Sequence, residues 1–340
     1  MVQPYVVAIA SLPLVARLIA LVVPEACLEP YAFWSPDSLN LRPGETSATT
    51  AWRNMGYWEN ASTFPDAAEA LARKLLDFAD APSGGAVLDV AHGAGESLKL
   101  HLSQIPPPNY LIGLTSQASE TEAARRLVDS IPHPNTSVEL IAGSASYRPG
   151  KDLDHPLNPM RGYLGQQSPI THEDTDDEDI HDEAQQVFSS PDGPPPYDLV
   201  YVLDAVYHFR PAVPYFLASV FQVLRPGQGV IAFTDILPPP SVNAFLGHLV
   251  LPPLLSIPAR NIMNRPKSFD EYVDILERIG YSSIRIEDWS EGVWKGFSAN
   301  LKERGLFWRL VGRAVDAAER NGWKFIAVRA KRPAAAVDTA

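Results

Sequence analysis

The chain has 340 residues, 46% of them hydrophobic and 20% charged, enough for a full core in one large domain and unlike a collagen-like or wholly disordered chain. Its formal net charge of −12 is uneven, since residues 149–196 hold eleven acids against Lys151 and Arg161 and the remainder carries −3. With no basic stripe the chain lacks an electrostatic footprint for nucleic acid; its single cysteine, Cys27, excludes an internal disulfide framework or a multi-cysteine zinc site and fits a reducing, cytoplasmic setting.

Residues 1–51 read as an N-terminal helical and apolar extension. Within it, 6–23 (VVAIASLPLVARLIALVV) is apolar, but Pro13 and Arg17 interrupt the run and no basic stretch precedes it. That pattern speaks against a plain transmembrane span or a secretory signal. Two readings fit: a helix packed on the domain, or an interfacial helix that gives peripheral membrane contact.

The main domain is expected over 52–330. Residues 66–79 place Ala67, Leu71, Leu75 and Phe78 at helical spacing and end at the turn Pro82-Ser83-Gly84-Gly85. AVLDVA (86–91) reads as a buried strand, followed by His92-Gly93-Ala94-Gly95 and a helix over 96–104. Strand 110–114, helix 118–130 and strand 137–143 continue the alternation, which argues for a parallel sheet covered by helices on both faces.

Proline, glycine and clustered acid over 149–196 leave too few apolar residues to offset ordering entropy, so this stretch is expected to be a disordered surface insertion. Order resumes with strand 197–205, a helix through about 212–224, the turn Arg225-Pro226-Gly227-Gln228-Gly229 and strand 230–236. An amphipathic helix over 269–279 ends at Gly280, and strands 282–289 and 323–330 bring the count to seven. Two helical insertions, 241–264 and 291–320, follow strands in the second half of the sheet, where such segments cover the ligand crevice; both are expected to act as lids. Residues 331–340 form a tail.

The loop Asp89-Val90-Ala91-His92-Gly93-Ala94-Gly95 lies between a strand and a helix, where a nucleoside ligand meets unpaired backbone N–H groups. A nicotinamide fingerprint would want a third glycine at 98, which is Leu, and an acid after the next strand, where Leu114-Thr115 stand. His92 is expected to pack within the loop.

These features resemble class I S-adenosylmethionine-dependent methyltransferases, whose first motif runs Asp/Glu-x-Gly-x-Gly-x-Gly. Asp89, Gly93 and Gly95 match it, and Ala91 stands where the family has its first glycine. Gly113-Leu114-Thr115-Ser116-Gln117 is similar to the segment of mycolic acid cyclopropane synthases in which polar side chains contact the ribose. The resemblance therefore implies Thr115 and Gln117 at the ribose, Ser144 and Ala145 at the adenine, and Leu203 and Asp204 beside the cofactor.

Tyr197-Asp198-Leu199-Val200, then Asp204-Ala205-Val206-Tyr207-His208-Phe209, then Val223-Leu224-Arg225-Pro226-Gly227 resemble the later motifs of natural-product methyltransferases, sugar O-methyltransferases among them. The implied fold is Rossmann-like α/β, with a seven-stranded, mostly parallel sheet, helices on both faces and helical lid insertions. The implied catalytic bases are His208 and Asp235, with no metal. Tyr57 and Trp58, in a Gly-Tyr-Trp segment, are expected to fold over S-adenosyl-L-methionine. Trp289, Trp294, Phe297, Trp308 and Trp323 are read mainly as core and lid packing.

The expected activity is methylation of a hydroxyl on a secondary metabolite or sugar. Lipid or sterol methylation at a membrane, motivated by 6–23 and the apolar run at 241–262, stays open, as does a non-catalytic cofactor-binding scaffold, motivated by Ala91.

Overall fold

The structure, a computed structural model, describes residues 36–161, 196–239 and 265–334. The expectations for 6–23, for most of the acidic insertion and for 241–264 lie outside the described residues.

Seven strands form one sheet in the order β3-β2-β1-β4-β5-β7-β6. They are β1 (Ala86–Val90), β2 (Tyr110–Thr115), β3 (Ser137–Ala142), β4 (Leu199–Val202), β5 (Val230–Leu237), β6 (Ser282–Asp288) and β7 (Lys324–Lys331). β1 to β5 pair in parallel, and β7 runs antiparallel to both β5 and β6. All seven fall where the sequence predicts strands. β1, β4 and β5 are buried along their whole length, as expected for parallel strands covered on both faces.

Alternation along each strand sorts the core into two layers. Val87, Tyr201 and Ala232 face one layer, and Leu88, Val200 and Phe233 face the other. The first layer is covered by α2 (Phe64–Ala79), α7 (Ser290–Lys302) and α8 (Leu306–Arg320), and the second by α5 (Val213–Val223) and α6 (Phe269–Ile279). α1 (Pro36–Asn40), α3 (Glu96–Leu102) and α4 (Ala118–Asp129) complete the described helices.

α2 starts where the Thr63 side chain accepts from the Asp66 N–H and Pro65 occupies the first turn, which supplies a partner for an otherwise orphaned donor. Its Ala67, Leu71 and Leu75 are fully buried.

Three boundaries differ from the sequence reading. Residues 36–51 belong to the domain, since the Asn40 side chain bonds the backbone of Trp52 in both directions and the Ala51 N–H donates to Glu96. Residues 149–161 are packed rather than disordered: Leu157 is fully buried, Asn158 is buried, and Arg161 pairs with Glu139. A few apolar and amide side chains anchor this start of the insertion, which its overall composition conceals. At the other end β7 continues to Lys331, and Arg332 bonds the carbonyls of Gln222 and Leu224.

The stretch 291–320 is an α-helical hairpin, as its composition suggested, but it forms a core layer. Trp294 is fully buried and stacks edge-on to Phe325 of β7 at 6.0 Å, so the hairpin packs against the sheet instead of closing over the cleft described next.

Candidate cofactor cleft

At the carboxyl ends of β1 to β4 lies a cleft of about 430 Å³, within the range of small-molecule sites. Ala91, Gly93, Thr115, Gln117, Ser144, Ala145, Leu203, Asp204 and His208 all line it. The parallel topology brings these nine together because successive strand-to-helix loops emerge at the same edge.

The loop after β1 is shaped by positive φ angles: 63° at Ala91, 58° at Gly93 and 101° at Gly95. Ala91 thus adopts the left-handed conformation that a glycine would take without cost, and its N–H donates to the Leu114 carbonyl at 2.6 Å. Gly95 does not line the cleft; it caps α3, and a Cβ there would stand 2.9 Å from Ala124 of α4. The His92 ring fills the space over Gly113, where a Cβ would lie 2.9 Å from it. Burial pushes His92 down to about 4, so it packs as a neutral ring.

Asp89 is also absent from the cleft wall. It lies on the opposite face of β1 from Val90, 1% exposed, with the fully buried His101 Nε2 at 3.6 Å. No hydrogen bond reaches either carboxyl oxygen among the described residues, and burial raises Asp89 to about 7 while holding His101 down to about 3.

At the end of β4, Asp204 has φ of 54° and is buried. One carboxyl oxygen accepts from the Met55 N–H at 2.7 Å and the other from Tyr207 Oη at 2.9 Å. Its own N–H donates to Thr234 at 2.8 Å. Burial raises Asp204 to about 7, against the opposing effect of these donors. Asp204 therefore latches the strap 51–58 onto the sheet. His208 ends the short 3₁₀ turn Val206–His208, its ring 4.3 Å from that of Tyr207.

Two residues expected over the cofactor are engaged elsewhere. Tyr57 and Trp58 press on α7, where a Cβ at Gly292 or Gly296 would collide with their rings at 2.1 and 2.2 Å. Trp58 Nε1 donates to the Met55 carbonyl and Lys74 sits 4.5 Å over the Tyr57 ring. These aromatics anchor the strap.

Asp235 is fully buried in β5. It pairs with Arg265 and accepts from Tyr272 Oη at 2.7 Å, and it does not line the cleft. The 27-residue spacing from His208 is met in sequence, but both carboxyl oxygens are already engaged, which removes Asp235 from the role of a free base.

Two cleft residues escaped the sequence reading. Glu120 lies in the first turn of α4, five residues after Thr115, and returns over the strand end: Thr115 Oγ1 donates to it at 3.3 Å and Arg53 Nε lies 3.2 Å away. An acid sought at the strand end itself was sought five residues too early. Arg53, in the strap, had no motif to mark it. Its Nε is taken up by the ion pair with Glu120, while its Nη1 is buried without a hydrogen-bond partner among the described residues, which leaves one donor position for an incoming anion.

No group of three potential metal ligands occurs among the described residues, and none of their helices is long and apolar enough to cross a membrane.

The fold is that of Rossmann-like methyltransferases. The chain is similar to the cyclopropane synthase MmaA2 from Mycobacterium tuberculosis, at 14% identity over 88% of this chain and 94% of that one, with a TM-score of 0.58. It is similar also to geranyl diphosphate C-methyltransferase from Streptomyces coelicolor A3(2), in complex with Mg²⁺, geranyl diphosphate and S-adenosyl-L-homocysteine, at 10% identity over 90% and 99% of the two chains and a TM-score of 0.56. The [4+2]-cyclase SpnF shares the fold at 14% identity, 90% and 95% coverage and a TM-score of 0.55. No family model and no curated protein matches the sequence.

Proposed function

We propose that the chain is an S-adenosyl-L-methionine-dependent methyltransferase acting on a hydroxyl of a small secondary metabolite or sugar. The observation that carries this reading is the cleft itself, lined together by the glycine loop after β1, Glu120 in the first turn of α4 and His208 after β4.

The residues present fit the cofactor. Glu120 and Thr115 offer acceptors to vicinal ribose hydroxyls. Arg53 Nη1 offers a donor to the carboxylate of the methionine moiety, and Ser144 and Ala145 form the wall suited to adenine. Ala91 keeps the backbone turn that a glycine would make, so the departure from the glycine motif leaves the approach of ligand to backbone intact. That favours a working site over a scaffold. Several proteins that share this fold have been crystallised with S-adenosylmethionine or S-adenosyl-L-homocysteine.

The cofactor supplies an electrophilic methyl group on a sulfonium. With the cofactor bound, His208 would accept the acceptor hydroxyl's proton at an imidazole nitrogen, a role that adds ~10²–10⁴-fold to rate. Asp204, through Met55, holds the strap that carries Arg53, and positioning of this kind can supply ~7–11 kcal/mol of a bimolecular barrier.

Isothermal titration of the protein with S-adenosylmethionine and, separately, with NADH tests the class. Micromolar binding of the first alone is the expected result. Incubation with hydroxylated acceptors and mass spectrometry of the products then tests the reaction. Failure to bind S-adenosylmethionine would sink the proposal; binding without transfer to any hydroxyl would redirect it to carbon or nitrogen acceptors, or to the non-methylating chemistry that the cyclase's name records for this fold.

A further inference from the structure

The hairpin α7–α8 carries a surface that neither the cleft nor the core uses. On one side α8 buries Val311, Val315 and Ala318 in the core layer it shares with α2 and β7. On the other side Leu306 is 74% exposed and Leu310 53% exposed. Arg309, Arg313 and Arg320 are exposed as well. Positions 306, 309, 310, 313, 317 and 320 follow the three-and-four spacing of a single helical stripe, so α8 is amphipathic twice over: an apolar face inward and a leucine-arginine face outward.

Carboxylates are kept off this stripe. Glu319 falls on the opposite side of the helix, and Asp316 is occupied by Lys302 and Ser298. Glu303 is exposed just before the helix. The result is a local excess of positive charge on a chain whose net charge is −12.

The stripe also adjoins the point where the N-terminal region enters the domain. Arg304, two residues before α8, donates to the carbonyls of Ser38 and Leu39 in α1. Upstream of α1, residues 24–35 connect to the apolar run 6–23.

We propose that the outward face of α8 docks the protein on an anionic lipid membrane. Leu306 and Leu310 enter the headgroup boundary, and Arg309, Arg313 and Arg320 extend to the lipid phosphates on their apolar stems. The arginines decide between partners. A second copy of the chain in a two-fold contact would set arginine against arginine, and an apolar segment of the same chain would leave them without a counter-charge, whereas an anionic bilayer satisfies leucine and arginine together. One modest apolar patch gives only reversible attachment, so partition by α8 alone is expected to be reversible.

The test is sedimentation of the full-length protein with vesicles of phosphatidylcholine alone and of phosphatidylcholine mixed with phosphatidylglycerol. Binding to the mixed vesicles, weakened by salt, is expected. At about 1 kcal/mol per basic residue near an anionic surface, Arg309→Glu with Arg313→Glu lowers partitioning by roughly 25-fold or more. Leu306→Asp with Leu310→Asp abolishes it, and both pairs keep the parent's thermal midpoint because all four side chains are exposed. The proposal is overturned by indifference to anionic vesicles, by binding that both double variants retain, or by a concentration-dependent dimer that the leucine pair dissolves while vesicles are ignored. Because the readout is partition rather than turnover, its outcome is independent of the methyltransferase reading.

Discussion

The ends of β1 and β4 are built from the same parts and used in opposite ways. Each has a residue other than glycine in the left-handed region, Ala91 at 63° and Asp204 at 54°. Each has a buried acid raised by burial to about 7, Asp89 and Asp204. At β4 the acid faces the cleft and is satisfied by the Met55 N–H and Tyr207 Oη. At β1 it faces away, with His101 at 3.6 Å and no hydrogen bond. The difference separates two tasks. The β1 end turns Ala91 and Gly93 toward the cleft and keeps its acid on the far face, while the β4 end presents its acid to the cleft and uses it to fasten the strap.

If chemistry resides at the β4 end, His208→Ala should produce the largest effect. Turnover is expected to fall ~10²–10⁴-fold, about 3–5 kcal/mol in the barrier, with cofactor affinity near the parent value by titration. Gly93→Val, at the β1 end, should do the reverse and abolish cofactor binding, because φ of 58° and an Arg53 carbon 3.0 Å from the new Cβ leave no room. Equal loss of affinity in both variants would erase the distinction.

Asp204→Ala should cost about 2–3 kcal/mol in urea unfolding, since two buried donors lose their acceptor. Asp204→Asn keeps acceptor capacity and should cost less. A free strap in the alanine variant should also weaken cofactor binding through Arg53; unchanged affinity would detach the latch from the site.

Asp89 sharpens the contrast through pH. Its folded-state pKa of about 7 lies above the ordinary 3.8, so the unfolded chain releases the proton first. The stability it contributes is present at low pH and is lost as pH rises from about 4 to 7. Asp89→Asn removes a loss of about 2 kcal/mol between pH 5 and 7. Its thermal midpoint should therefore vary less with pH over that interval than the parent's. A parallel dependence in both proteins would show that Asp89 is not the group responsible.

The sequence carried the sheet almost completely, because buried parallel strands are short apolar runs and the turns between them hold Gly and Pro at fixed places. It carried the cleft in part. Thr115, Ser144 and Asp204 were implied by the family resemblance, and all three line the cleft. Asp235 lies within β5 rather than beyond its end, and its carboxylate is engaged by Arg265 and Tyr272, thirty and thirty-seven residues later, a contact that no local pattern encodes. Tyr57 and Trp58 went the same way, since only the fold sets Gly292 and Gly296 beneath their rings. Glu120 was within reach of sequence reasoning, given that a side chain in the first turn of a helix lies over the preceding strand end.

The smallest predicted effect bears on the alanine that departs from the glycine motif. A left-handed conformation costs an L-residue ~1–2 kcal/mol, whereas glycine adopts it freely and loses more entropy on folding. These oppose each other, and the conformational cost is the larger at φ of 63°. Ala91→Gly should therefore raise stability by about 1 kcal/mol in urea unfolding. The side chain lines the cleft, so the same variant reports on function: tighter cofactor binding would mean that the methyl group crowds the ligand, and unchanged binding that the backbone turn alone matters. A loss of stability would show that the loop is held at 63° by its neighbours at no cost to Ala91, and that the β1 end is less strained than its angles imply.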